Sequence, residues 1–297
     1  MKNDAIHFPK GPHLNVRRQM SAGRFAFTTI FAVFGVVYWT APANAGVDLV
    51  PHRAIYGMSL YSAERGAGVT GAGGTMVYGF RDSCDAWSSE TNVKLRLIYS
   101  EGDQVDTEWS FASWEAKNGK SYQFRTRQAR DGVTVEELKG RVERDGPKAA
   151  AVALFSKPED KEIELSKDTL FPSRHLIDLL EAGAAGKRIF SRTVFDGASL
   201  DNPYIISAVR GQRSPADAVS KAAKADELIA AAGLKSEKLS HYRLAFFPRS
   251  SREAVPDFEL GVDYRPDGIA RFIRQDYGDF VIDLFLQNIE LSERPRC

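Results

Sequence analysis

The sequence predicts a mostly β protein built from one large antiparallel sheet that curls on itself. Apolar and polar residues alternate along many short segments, as at Ala54, Tyr56 and Met58, which is the pattern of strands with one covered face. Turn dipeptides that favour hairpins, such as Asn118-Gly119, separate these segments. Since no linker rich in Pro, Gly and Ser divides them, a dozen or more strands form one sheet, which must curl to hide a face.

Residues 1–45 are predicted to be a signal peptide. A positively charged stretch that includes Arg24 precedes an apolar run over 25–39, and a run of about fifteen residues is typical of a signal core. Small residues then precede a predicted cleavage between Ala45 and Gly46. A retained membrane anchor is one alternative, but a span needs about twenty apolar residues. Twin-arginine export through Arg17 and Arg18 is another, but the residues that follow, 19–21, fit that signal poorly. We expect a single domain over 46–297, exported to a bacterial periplasm.

The charge balance argues against nucleic acid as a partner. The whole chain has 40 Lys+Arg and 39 Asp+Glu, of which the predicted leader contains five basic residues and one acidic residue. The remaining 35 basic and 38 acidic residues give the mature chain a net charge of about −3. No basic stripe or block of like charges stands out.

The extended segments follow one another in two runs. The first run covers 52–61, 75–80, 87–99, 107–114, 121–128, 133–142 and 149–155, with a glycine-rich tip expected over 66–74. The second run covers 190–195, 204–210, 239–247, 258–264, 269–275 and 280–291. Asp-Gly pairs at 131–132, 145–146 and 267–268 mark hairpins between neighbours.

Two segments break the strand pattern. Over 171–185 apolar residues recur at helical spacing, Pro172 suits a first turn, and Gly183 or Gly186 suits a stop. The segment 214–232 is rich in Ala, Lys and Asp; it is either a short, exposed helix, which we favour, or a mobile insertion.

The two cysteines, Cys84 and Cys297, favour a disulfide. An even count in an exported protein usually means pairing. Free thiols and a bridge between chains through Cys297 are the alternatives. A bridge within the chain would tie its last residue to the start of the domain.

Three possible active-site patterns do not support an enzyme. The match to G-x-G-x-x-G over 66–71 is followed by a strand rather than a helix. Ser173, His175 and Asp178 lie on one predicted helix and cannot converge as a triad. The histidines outside the predicted leader, His52, His175 and His241, do not have the spacing of metal ligands. We therefore expect no catalytic residue, no cofactor and no metal.

Aromatic residues recur on the predicted strands and have two interpretations. Such residues usually form core. Alternatively, some line a concave cavity for a lipid-like guest, and the candidates are Trp109, Phe111, Trp114, Phe124 and Phe272.

Several motifs resemble the cell envelope integrity EipB family of alphaproteobacterial periplasmic proteins. They are HRAIY (52–56), YGFRDSCDAW (78–87), LFPS with His175 (170–173), VFDG (194–197) and DYGDF (276–280), before the closing Cys297. The resemblance implies a β-spiral of about fourteen antiparallel strands, similar in fold to the lipoprotein carriers LolA and LolB, with Cys84 and Cys297 bridged. The segments 66–74 and 214–232 match the family less well.

The resemblance also implies a role in maintaining the envelope under stress, with no catalytic residues assigned. We therefore expect a non-enzymatic periplasmic protein whose concave sheet binds a lipid or a lipoprotein acyl chain. A scaffold that binds other periplasmic envelope proteins, without a small-molecule ligand, is the alternative.

Overall fold

The computed structural model describes residues 46–211, 219–251 and 254–297, and the side chains of 219–222 are left aside. The predicted signal peptide, including Ala45, and the start of the 214–232 segment lie outside the described residues.

Fourteen strands and two helices make up the described chain. In the first half, the strands are β1 His52–Ala63, β2 Val69–Asp82, β3 Ala86–Tyr99, β4 Gln104–Ala116, β5 Ser121–Arg130, β6 Val133–Glu143, β7 Ala151–Lys157 and β8 Lys161–Leu165, followed by α1 Pro172–Ala184. The second half contains β9 Ile189–Val194, β10 Tyr204–Gly211, α2 Val219–Ala231, β11 Ser240–Pro248, β12 Phe258–Tyr264, β13 Ala270–Asp276 and β14 Phe280–Leu291.

All fourteen strands belong to one sheet, and every neighbouring pair of strands is antiparallel. The chain starts in the middle of the sheet at β1 and runs outward through successive hairpins to β8 at one edge. After α1 it resumes at the opposite edge with β9 and returns to β14, which pairs with β1. The sheet does not close into a barrel, so the prediction of one curled antiparallel sheet is confirmed.

Buried apolar side chains form two clusters. The main cluster is formed by β1, β2, β9–β14 and both helices, and includes Tyr56, Leu284 and Ile177 of α1. The second, which we call the aromatic cluster, lies within the curl of β4–β8 and contains Phe111, Tyr122, Phe124, Leu138, Val142, Ala153, Phe155, Leu165, Phe171 and Phe195.

Helix α1 follows the predicted segment to within one residue at each end. Its buried face includes Ile177, Leu179 and Leu180. Gly186, with φ of 80°, supplies the left-handed residue after the helix end. Gly183 instead lies inside the helix, where an added Cβ would collide with the Tyr242 hydroxyl.

Helix α2 keeps most of its described side chains exposed, but one face of it is buried. Ala225 and Ile229 are buried in the main cluster. The exposed Asp226 accepts two hydrogen bonds from the Arg271 guanidinium, at 3.0 and 2.8 Å, and Arg271 also donates to the buried Asp263 at 3.2 Å. The helix is therefore fastened to the sheet by packing and by a partly buried ion pair.

Two other differences concern the first half of the sheet. The predicted tip over 66–74 is wrong in extent, because β2 begins at Val69 and contains Gly71, Gly73 and Gly74. At Gly74 a Cβ would collide with the backbone of Lys94 on β3, so this glycine serves close strand packing rather than a turn. The sequence also missed β8, a five-residue strand in which charges outnumber apolar residues.

The C-terminal tail lies against the segment that precedes β1 and the turn that follows β2. Cys84 and Cys297 form a disulfide, with Cα atoms 5.6 Å apart. The tail that leads to Cys297 is held by the Ser292 N–H, which donates to the Pro51 carbonyl at 2.9 Å, and by Arg294, which pairs with Asp48 at 2.8 Å.

Replacing both Cys84 and Cys297 by serine should lower the melting temperature by roughly 5–15 °C, as a loss of 2–4 kcal/mol does in a domain of this size. The bridge spans 213 residues, and the entropy model gives an upper bound of about 5 kcal/mol for such a loop. Calorimetry under oxidising conditions would measure the change. Reductant should lower the melting temperature of the unchanged protein and leave the double variant unaffected; equal melting of the two oxidised proteins would contradict the prediction.

Candidate functional site

The concave side of the β4–β8 curl is the candidate site, and the chain's own rings occupy it. Tyr122 and Phe124 project from β5, and two of their partners, Phe171 and Phe195, come from segments outside the strands. The Phe171 ring stacks on Tyr122 at 4.7 Å between centroids. The Phe195 ring meets Phe124 edge-on at 5.5 Å, and Phe155 of β7 completes the contact with Phe124 at 5.0 Å. Tyr122, Phe124, Phe155, Phe171 and Phe195 are all buried.

The structure brings together three of the five predicted ligand-lining residues. Phe111 and Phe124 belong to the aromatic cluster, and Trp109 packs against it, stacked on Phe111 at 5.8 Å. Phe272 lies on β13 in the other half of the sheet, buried beside Phe285 at 5.2 Å. Trp114 is 37% exposed. The five side chains therefore do not line one shared cavity.

Glu115, near the end of β4, holds the amino terminus of α1. The N-cap residue Phe171 offers no side-chain acceptor, and the Glu115 carboxylate replaces it, accepting hydrogen bonds from the backbone N–H of Ser173 at 2.7 Å and of Arg174 at 2.9 Å. Its negative charge also faces the positive end of the helix dipole. Burial raises the pKa of Glu115 to about 7, against the opposing effect of these two hydrogen bonds.

Arg144 fixes the segment that leads into α1, which we call the strap (residues 166–171). Its guanidinium lies 4.4 Å from the Phe171 ring centroid and donates to the carbonyls of Thr169 at 3.2 Å and Pro147 at 3.3 Å. Burial lowers the pKa of Arg144, while the charge of Glu115 opposes that shift. Leu170 of the strap exchanges backbone hydrogen bonds with β9 at Thr193 and with Phe195.

Ser173, His175 and Asp178 have separate surroundings. His175 is buried beside Phe190, 5.8 Å between ring centroids, and burial lowers the pKa of its imidazole to about 4, so that the ring is neutral near pH 7. Asp178 pairs with Arg174 at 2.5 Å. His241 is placed elsewhere, with Nδ1 2.8 Å from Asp263. Among the described residues, no three His, Cys, Asp or Glu side chains gather as a metal site.

Three grooves have charged residues among their walls. One of about 630 Å³ runs over Gly73 and Gly74 between Lys94, Arg96 and Glu108. A second of about 530 Å³ lies along β5–β8 beside Lys139 and Lys161 and reaches Phe155 of the aromatic cluster, and a third of about 310 Å³ lies beside Arg53 and Glu290. Within the described ranges, no helix is long and apolar enough to cross a membrane.

The fold defines the class of protein: an open, curled antiparallel sheet in which the first strand, β1, pairs with the last, β14. The EipB-like family model matches residues 43–293, and the chain belongs to that family. The cell envelope integrity protein EipB of Brucella abortus (strain 2308) is 28% identical over 243 residues, which cover 81% of this chain and 83% of that protein.

A crystal structure has the same fold. The β-barrel-like protein of the DUF1849 domain of unknown function from Brucella abortus superimposes with a TM-score of 0.73 at 26% identity. The match covers 83% of this chain and all of that chain.

Phe124→Ala should cost about 3–5 kcal/mol of unfolding free energy, because it empties a packed interior position. Trp114→Ala is the matched control, since its ring is 37% exposed and less apolar area is lost; it should cost roughly half as much or less. Urea unfolding measures both values. A small loss in the Phe124 variant would show that the cluster is not packed around this ring.

Glu115→Gln should change how stability depends on pH. Because the folded-state pKa of about 7 lies above the ordinary value of 4.5, the stability contributed by this carboxyl is full below about pH 4.5 and falls as pH rises towards 7. The glutamine variant lacks this fall. The urea midpoints of both proteins are measured between pH 4 and 8. The effects of other titrating groups such as His175 are the same in both proteins and cancel in the difference. If the two plots of midpoint against pH ran parallel, the raised pKa of Glu115 would be contradicted.

Proposed function

We propose that the chain is a non-enzymatic periplasmic protein that supports the integrity of the cell envelope by binding other envelope proteins. Membership of the EipB-like family and the name of the Brucella relative support the envelope role. The predicted leader and the Cys84–Cys297 disulfide support an oxidising compartment such as the periplasm.

The observation that favours a scaffold over a carrier is the filling of the concave side. A carrier for a lipid needs an apolar cavity that the guest can occupy. In the β4–β8 curl that space holds Phe171 and Phe195, both less than 4% exposed and in ring contact with Tyr122 and Phe124. A protein that binds through its outer surface does not need this space.

A lipid or lipoprotein acyl chain remains a second candidate ligand because of where the two rings come from. Phe171 is the N-cap of α1, and Phe195 follows the end of β9, so neither ring is carried by a strand inside the curl. A movement of the strap would withdraw Phe171 from Tyr122 and break the hydrogen bonds of Leu170 to Thr193 and Phe195, but it would leave the pairing between the strands of the sheet intact. An acyl chain would then replace Phe171 against Tyr122.

Protein purified from the periplasm of its own organism should carry no stoichiometric lipid, because its own rings fill the interior. Native mass spectrometry and lipid extraction would measure this, and photoreactive residues at exposed positions around the sheet should form cross-links to envelope proteins in cells. One acyl chain per molecule would favour the carrier. Failure to cross-link any protein from positions across the surface would overturn the scaffold.

A further inference from the structure

The edge strand β9 has free backbone groups over part of its length. β9 pairs with β10 on one side, and the Arg210 N–H donates to the Arg188 carbonyl at 2.7 Å. In an antiparallel pair, bonding alternates along the strand, so Ile189 and Ser191 direct their backbone groups away from β10. The strap covers this side of the strand only from Thr193 onward.

Within the described chain, most outward groups of Ile189 and Ser191 have no protein partner. The exception is the Ser191 carbonyl, which accepts a hydrogen bond from the Arg192 side chain at 2.8 Å. Beside this edge lies an apolar row on the outer face of the sheet. Ile189 is 71% exposed, and Val209, directly opposite it on β10, is 47% exposed.

Positive charge surrounds the same edge. Lys187, Arg188 and Arg192 are exposed, and none has an ion-pair partner among the described residues. The opposite edge strand, β8, has a different character, since its exposed positions include Glu162 and Glu164. A second copy of β9 laid against β9 would bring like charges together, which disfavours that pairing.

We propose that β9 binds an extended, acidic segment of a partner protein, which adds a strand to the sheet beside Ile189 and Ser191. Strand addition to an open edge uses backbone hydrogen bonds for affinity and alternate side chains for specificity. Here Arg188 and Arg192 would attract carboxylates, and the row of Ile189 and Val209 would contact an apolar side chain of the segment. The inference rests on the proposed scaffold function and identifies its binding surface.

Charged residues also protect edge strands against unwanted pairing. If protection were the sole role of Lys187, Arg188 and Arg192, an acidic strand would not bind at this edge. Binding of an acidic strand at β9 therefore distinguishes a docking edge from an edge that is only protected.

The test uses a fluorescein-labelled peptide of about ten residues, a common strand length, in which valine and aspartate alternate. Fluorescence anisotropy with the mature protein at low salt should show binding that weakens as salt is added. Ser191→Pro removes one outward N–H without breaking a bond to β10, and should weaken binding about tenfold. The double variant Arg188→Glu with Arg192→Glu should weaken it by at least about tenfold.

Matched controls distinguish peptide binding at the β9 edge from binding elsewhere on the surface. Arg130→Glu changes an exposed arginine at the end of β5 and should leave binding unchanged. A peptide with proline at alternate positions, which cannot complete the ladder, should not bind the unchanged protein. The proline peptide is measured on the unchanged protein, so it tests strand addition even if the Ser191→Pro protein fails to fold.

Absence of peptide binding would overturn the inference, as would binding that neither Ser191→Pro nor the proline peptide reduces. Self-association in sedimentation velocity that Ser191→Pro abolishes would also overturn it, by identifying a second copy as the occupant. If cross-links to envelope proteins arise only from positions away from β9, the scaffold function stands and this inference alone fails.

Discussion

The pairing of β1 with β14 is the contact on which the rest of the sheet depends. Every other strand pair in the sheet joins neighbours along the chain, whereas this one matches His52 with Leu291 at one end and Ala63 with Phe280 at the other. Its formation requires closing almost the whole domain into a loop, which has a large entropic cost. The Cys84–Cys297 bridge lies beside the same strands, so in the oxidised chain it reduces that cost.

Alternation and turn chemistry were sufficient to predict thirteen of the strands that form the sheet, because most strands have one buried face and are joined by hairpins. Alternation and turn chemistry failed where contacts with distant residues, rather than local composition, decide the structure. Gly71, Gly73 and Gly74 have the composition of a turn, yet all three lie in β2. A glycine stands at position 74 because the backbone of β3 leaves no room for a Cβ there. Ala225 and Ile229 of α2 are buried in the main cluster, and Asp226 contacts Arg271, 45 positions away; no local pattern records these contacts.

The candidate site shows the same limit. The sequence identified Phe111 and Phe124 as possible interior residues, but it could not show that Phe171 and Phe195 pack against Tyr122 and Phe124. Glu115 was missed entirely, since it is an ordinary strand residue whose role depends on amide groups 58 and 59 positions later. A helix that starts with Phe171 and Pro172, without a local polar cap, is the one signal that a distant acceptor was needed.

The closed interior and the open edge have a common cause. A meander of this kind could close into a barrel by pairing β8 with β9, but the strap and α1 connect the two edges instead. The strap uses Leu170 to cover the far end of β9 and carries Phe171 into the aromatic cluster. It leaves the backbone of Ile189 and Ser191 uncovered. Glu115 and Arg144 hold the start of α1 and the strap in this position, and so contribute both to the filling of the concave side by Phe171 and to the covering of only one end of β9.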